Sequence, residues 1–231
     1  MLESIGIVKF ISPNYNVPVT KFENYKTYAF IFAHPDDEIF TAVAIRNLIR
    51  AGKNVRMIYL TNGDYVSEAL GKVREAELAR STSLLGVEPE HVIMLGFSER
   101  PLFDNADDAI RMVIENIKDI NPDCIIGHDY EGGHNGHDLV GFCAYLAARK
   151  ADKDLWVFAA YNGLPNERRW NQFINGKNLD YLLRLDKTDR EFKLLVADTH
   201  MSQKGYFDSI LGSRDADDFL AREILLCGRY Y

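Results

Sequence analysis

The chain has 231 residues, 47% of them hydrophobic, with 34 acidic against 27 basic side chains and a net charge of −7. That length and apolar fraction suit an α/β chain that buries a full core without disulfide staples. The acidic balance argues against nucleic acid or an anionic membrane as the main partner, since both require a basic face.

In chain order, "MLESIGIVKFIS" carries Glu3 and too short an apolar run for a secretory leader. No stretch approaches the roughly 20 apolar residues of a membrane span. "YAFIFA" (28–33) reads as a strand. From 38 to 51, Phe40, Val43, Ala44 and Leu48 fall at helical spacing before Gly52. "VRMIYL" (55–60) is a second strand, ending in the turn residues Asn62 and Gly63. A helix from 72 to 85 stops at Gly86, and "HVIMLGF" (91–97) is a third strand. A helix over 105–120 ends before Asn121-Pro122. "DCIIGHD" (123–129) is a fourth strand, 137–150 a helix and "LWVFAAY" (155–161) a fifth strand. "LDYLLRLD" (179–186) reads as an added strand, and 189–201 and 215–227 as helices.

Continuously apolar strands alternating with helices predict an α/β, Rossmann-like, three-layer fold, its mostly parallel sheet covered on both faces. No linker or repeat divides the chain, so one domain over 1–231 is expected, with a core over 27–203 and a helical C-terminal extension over 204–231. The three cysteines lack a C-x-x-C pair. Cys124 sits in a strand-like run, Cys143 and Cys227 in helix-like runs, which suits buried reduced thiols in a cytoplasmic protein.

Ligands of open parallel sheets bind at the carboxyl ends of the strands. His34, Pro35, Asp36, Asp37 and Glu38 leave the first strand, and Asn62, Gly63 and Asp64 the second. His128 and Asp129 close the fourth, followed by "YEGGHNGHD" with His134 and His137. The topology therefore brings segments nearly a hundred positions apart to one rim. His34 and Asp37 at a turn, with the distant His137, are a common ligand pattern for a catalytic metal. Two His and one carboxylate suit Zn²⁺ with a fourth position left for water, or Fe²⁺ with open positions. A cation would also relieve the repulsion among three successive acids. The plainer alternative is that Asp36 or Asp37 caps the 38–51 helix, with Glu38 at its positive end. His91 reads as structural. His128 lies near the site, with its role open. Asp107, Asp108, Asp215, Asp217 and Asp218 fall near helix starts and read as caps or solvated charge.

"AHPDDE" with a downstream G-x-x-H resembles the PIG-L/LmbE family of metal-dependent N-acetylglucosaminyl de-N-acetylases. "TNGD" (61–64), "VREAELARSTSLLGV" (73–87), "MLGFSERPL" (94–102) and "KLLVADTHMSQ" (193–203) extend the resemblance over about 28–203. It implies hydrolysis of an N-acetyl group on a glucosamine-type sugar. His34, Asp37 and His137 would hold zinc, Asp36 would be the general base, and a charged His134 would stabilise the tetrahedral intermediate or protonate the amine. Asp64 and Arg74 would meet the substrate, although Arg74 on a surface helix also reads as a solvated ion pair. The second motif departs from the family's His-Pro-Asp-His: it reads His134-Asn135-Gly136-His137, with Asp138 next in line to replace the missing carboxylate.

Tyr161, Trp170 and Tyr206 are candidates to close a sugar pocket, or plain core. A two-metal phosphoesterase and a sugar-binding relative without turnover are the competing readings. The expected partner is a small-molecule sugar conjugate, with neither nucleic acid nor a membrane span involved and homo-oligomerisation left open.

Overall fold

The computed structural model describes residues 20–100, 102–163, 167–174 and 179–227. The amino-terminal segment read against a secretory leader, and residues 228–231 of the expected extension, lie outside them. A short helix α1 (Thr20–Asn24) leads into strand β1 (Thr27–Phe32). There follow β2 (Asn54–Thr61), β3 (Val92–Phe97), β4 (Cys124–His128) and β5 (Asp154–Phe158), all mutually parallel. Between them run α2 (Ala42–Arg50), α3 (Glu68–Leu85), α4 (Ala106–Ile120) and α5 (Asn135–Ala151). The alternation read from the sequence is thus present, with ends moved by a few residues. Ser67 explains one such move: its hydroxyl accepts from Leu70 N and starts α3 four residues before position 72.

Tyr28, Phe30 and Phe32 face one side of the sheet, where α2 and α3 pack. Ala29 and Ile31 face the other, beneath α4 and α5. Both faces are covered, so the strands are apolar throughout rather than alternating. The result is a three-layer α/β fold.

After β5 come a two-stranded hairpin, β6 (Tyr161–Asn162) and β7 (Arg169–Trp170), and then β8 (Tyr181–Arg184). Helix α6 (Lys187–Ala197) begins with a reciprocal capping box between Asp186 and Asp189. Helices α7 (Lys204–Leu211) and α8 (Ala216–Ala221) precede β9 (Arg222–Cys227).

The expected 215–227 helix and wholly helical 204–231 extension are corrected here. Helix α8 ends at Ala221, and "REILLC" enters the sheet between β5 and β8, antiparallel to both. Ile224 and Leu226 pack on one side of the sheet, Leu225 and Cys227 on the other. An apolar run buried on both faces reads alike as helix or strand, and here the open edge of β5 decides. Cys227 is therefore a strand residue; all three cysteines are buried and unpaired with one another.

The sheet order is β3-β2-β1-β4-β5-β9-β8. The chain moves outward from β1 through β2 and β3, then restarts on the opposite flank at β4. That reversal opens a crevice beyond the carboxyl ends of β1 and β4.

Strand β9 also supplies what α2 lacks. Thr41 makes no side-chain cap, and the buried Glu223 accepts from Val43 N (2.9 Å) and Ala44 N (2.7 Å) instead. Lys193 Nζ of α6, fully buried, stands 3.5 Å from the same carboxylate. Replacing Lys193 with Met keeps the apolar stem and leaves a buried carboxylate without its cation. The variant should lose about 3 kcal/mol of unfolding free energy in urea. A loss below about 1 kcal/mol would mean that the two amides alone hold Glu223.

Candidate functional site

The turn after β1 carries three consecutive acids, all buried. Asp36 adopts φ 108°, a left-handed conformation rare for a side-chain-bearing residue. Its side chain makes no helix-cap bond, which removes the cap reading for Asp36. Its carboxylate lies between His34 Nδ1 (3.1 Å) and Arg74 Nη2 (3.1 Å). Asp37 Oδ2 accepts from Ala33 N (2.9 Å) and His34 N (3.0 Å), closing the turn back onto β1. Glu38 accepts from Asp36 N (3.0 Å), Tyr59 OH (3.1 Å) and Ser81 Oγ, and its other face meets His200 Nε2 at 2.7 Å. Each acid therefore has its own partners.

Arg74 is not the solvated surface residue its helix suggested. Only 3% exposed, it donates to Pro35 O and Gly63 O as well as meeting Asp36. Gly63 makes this approach feasible: with φ +71°, a Cβ there would stand 2.5 Å from the guanidinium. Asp64, also expected toward substrate, accepts from Ser98 Oγ and Glu99 N at 2.9 Å each, tying the loops after β2 and β3 together.

His137 opens onto Asp37 from the first turn of α5. Its Nε2 is 3.1 Å from Asp37 Oδ1, yet this buried nitrogen has no aligned hydrogen-bond partner. Two donor atoms side by side, neither bonded to the other, suit a shared cation. Behind it, His137 Nδ1 meets Glu131 Oε2 at 2.7 Å, the carboxylate support typical of a metal-ligating imidazole. Glu131 is held in turn by Ala160 N and Tyr161 N. His128 stacks on His137, with centroids 4.0 Å apart, and its Nε2 lies 3.2 Å from Asp37 Oδ2.

Among the described residues three overlapping sets have donors within 4.8 Å of one another: His34, His134 and His137; Asp37, His128 and His137; and His34, Asp36 and Asp37. The expected trio of His34, Asp37 and His137 is distributed over these sets, one pair in each. The donor chemistry fits a divalent ion of the Zn²⁺ or Fe²⁺ kind.

The electrostatics agree. Burial works to raise Asp37, but the charges of His34, His137 and His128 hold it well below the usual carboxylate range. Burial works to lower His137, yet Asp37 and Glu131 push it up to about 10. His34 is likewise raised against burial by Asp37 and Asp36. The cluster attracts positive charge, as protons or as a cation in their stead.

His134 behaves oppositely. Burial lowers it first, His137 and His34 add to this, and the attraction of Glu99, 3.6 Å from its Nε2, does not compensate. Burial among other imidazoles therefore disfavours the charged His134 that was expected to suit the oxyanion. Asp138 does not take the place of the missing carboxylate beside His137. It accepts from Glu131 N (2.8 Å) and Gly132 N (3.1 Å) and so shapes the loop carrying Glu131.

Tyr161 and Trp170 are buried and Tyr206 is half-buried, and their rings form one wall. Tyr161 is edge-on to His137 at 5.1 Å. The wall adjoins the centre, and its rings belong to the packed core on that side of the sheet. Glu131 and Glu99 were not singled out in the sequence. The signal for Glu131 was an acid inside a Gly-rich loop between His128 and His137; Glu99 had none beyond following the third strand.

Comparison with known proteins decides the family. The model of PIG-L, GlcNAc-PI de-N-acetylase, matches residues 29–148, which include every candidate ligand above. The chain belongs to the PIG-L family. The "Probable N-acetyl-alpha-D-glucosaminyl L-malate deacetylase 2" of Bacillus anthracis is 30% identical over 134 residues, 52% of this chain and 58% of that protein. The chain spans about half the length of the curated relatives it matches. The N,N'-diacetylchitobiose deacetylase from Pyrococcus horikoshii aligns with a TM-score of 0.61 at 19% identity, covering 90% of this chain and 85% of that one. GalB, the 4-carboxy-2-hydroxymuconate hydratase from Pseudomonas putida KT2440, aligns at 0.62 with 15% identity, covering 89% and 97%. These structures share the fold, and the fold alone does not choose the reaction.

The Glu38–His200 contact gives a pH test. Burial opposes both charges, yet His200 lowers Glu38 below 4.5 and Glu38 raises His200 above 6.5. A depressed carboxylate contributes stability above its unfolded value and loses it as pH falls through the folded one. A raised imidazole contributes below its unfolded value and loses it as pH rises through the folded one. The stability difference between wild type and His200→Gln should thus be largest between about pH 4.5 and 6.5 and shrink on either side. Urea titrations at several pH values measure it, and a difference that grows above pH 7 would contradict the pair.

Proposed function

We propose that this chain, as one catalytic domain, is a metal-dependent hydrolase that removes the N-acetyl group from a glucosamine-type sugar conjugate. The observation that carries this reading is the unpartnered, buried His137 Nε2 beside Asp37, with Glu131 behind it. The family description and the B. anthracis relative's name support the substrate class. Among the described residues any two of the candidate donor sets share one residue, His34, Asp37 or His137, so they cluster about one place, which favours one metal over a two-metal phosphoesterase.

His34, Asp37 and His137 would hold zinc, or Fe²⁺. Bound there, the ion would lower the pKa of a water molecule to about 7 and polarise the amide carbonyl. Asp36, oriented by His34 and Arg74, would take the proton of the attacking water. His134, neutral at rest, would donate a ring N–H to the carbonyl oxygen as it gains charge. As the C–N bond breaks, the proton on Asp36 would pass to the leaving amine, yielding acetate and the free amino sugar. Arg74 acts on substrate only through Asp36. The buried cysteines favour a reducing, cytoplasmic setting. Among the described residues no helix is long and apolar enough to cross a membrane.

Purified protein should hold about one metal ion per chain by elemental analysis, and His137→Ala should lose it. Full metal content in His137→Ala would remove that ligand. Asp36→Asn should keep the metal and the melting temperature while kcat falls about 10²–10⁴-fold in acetate release from N-acetylglucosamine conjugates. Near-wild-type turnover would exclude Asp36 as the base, and loss of metal would make it a ligand.

A further inference from the structure

The aromatic wall beside the centre carries a cation. The guanidinium of Arg168, from the hairpin arm leading into β7, lies 4.7 Å over the Tyr161 ring and 5.9 Å from that of Trp170. The Tyr161 ring is in turn 5.1 Å from the His137 imidazole and 6.4 Å from that of His134. Guanidinium, phenol and metal-side imidazole therefore follow one another in contact.

Arg168 is half-buried, and its Nε is buried without a hydrogen-bond partner. No carboxylate among the described residues pairs with it. The contrast with its neighbour is informative: Arg169 Nε and Nη2 reach the two oxygens of Asp215 at 2.9 and 3.1 Å. In a chain of net charge −7, acids to neutralise an arginine are plentiful, yet this one, next to the candidate centre, has none among the described residues. Stacking fixes the plane of a guanidinium while leaving its edge N–H groups available, and that edge matches the paired oxygens of a carboxylate or phosphate.

We propose that Arg168 is the oxyanion-recognising residue of the substrate site, so that the sugar conjugate acted on here bears a carboxylate or phosphate on its aglycone. The proposal rests on the deacetylase reading above and adds the charge of the substrate to it. The acetamide would sit at the metal-side histidines, the sugar would pass along the Tyr161 ring, and the acidic group would end at the guanidinium. A neutral glycoside would use the wall without the cation.

The test compares metal-loaded wild type with Arg168→Met, which keeps an apolar stem against the rings, and with Arg168→Lys, which keeps the charge and loses the fork. The probes are methyl N-acetylglucosaminide, N-acetylglucosamine 1-phosphate and the N-acetylglucosaminide of glycolic acid. Wild type should show a KM at least about tenfold lower for one of the acidic conjugates, and Arg168→Met should abolish that advantage, with kcat within about twofold and the neutral glycoside unaffected. Arg168→Lys should fall between. The acidic probe that gains identifies carboxylate or phosphate. Equal KM values for neutral and acidic probes in wild type, or an equal loss on all three in a folded Arg168→Met, would overturn the proposal.

Calorimetric binding of glucosamine 1-phosphate and the glucosaminide of glycolic acid, which carry no acetyl group, separates the two readings. Arg168-dependent binding with no acetate released from any conjugate would keep the anion site and remove the deacetylase. Deacetylation without any dependence on Arg168 would do the reverse.

Discussion

Three successive carboxylates cannot be buried together unless each finds its own compensation, and the structure around the turn after β1 is organised by that requirement. An unpaired buried charge costs several kcal/mol. Asp36 takes Arg74 from α3; Asp37 takes imidazoles from β4 and α5; Glu38 takes His200 from beyond α6 and Ser81 from α3. The partners come from both faces of the sheet. The hexapeptide "AHPDDE" therefore acts as a junction: satisfying its charges requires α3, β4, α5 and the segment after α6 to dock in one arrangement.

The distribution also divides labour. Glu38 faces inward and is wholly satisfied, and one of its bonds holds the amide of Asp36 in its left-handed conformation. Asp37 and His137 face each other without a mutual hydrogen bond, which leaves their donor atoms for a third party. Asp36 stands between the two regimes, buried yet paired at the rim. The reversal of sheet order between β1 and β4 is what allows segments from opposite flanks to meet there.

Much of this was legible in the sequence. Strand–helix alternation and polar residues at strand ends suffice to bring His34, Asp37 and His137 to one rim. What stayed hidden depends on tertiary partners. Arg74 looks exposed on a polar helix because the vacancy it fills is made by Gly63, in the loop after β2. His200 and Lys193 lie in a stretch that resembles the family, but their function is visible only when Glu38 and Glu223 arrive opposite them. The misread 222–227 segment is of the same kind: a run buried on both faces has no periodicity to tell strand from helix. The lowered proton affinity of His134 could not be read either, since it comes first from burial and then from the imidazoles of His137 and His34 beside it.

The placement of β9 has a consequence for the order in which the molecule is made. Strands β1 to β5 can associate while synthesis continues, since each pairs with one already present or soon to follow. The first amides of α2 wait for Glu223, and the carboxylate of Glu38 waits for His200. The helix that follows the acidic turn is therefore finished last although it is made among the first. Until the ribosome has released β9, the sheet lacks the strand that joins β8 to β5 and the first amides of α2 lack their acceptor, so the helix beside the candidate centre is completed only when the end of the described chain folds back onto it.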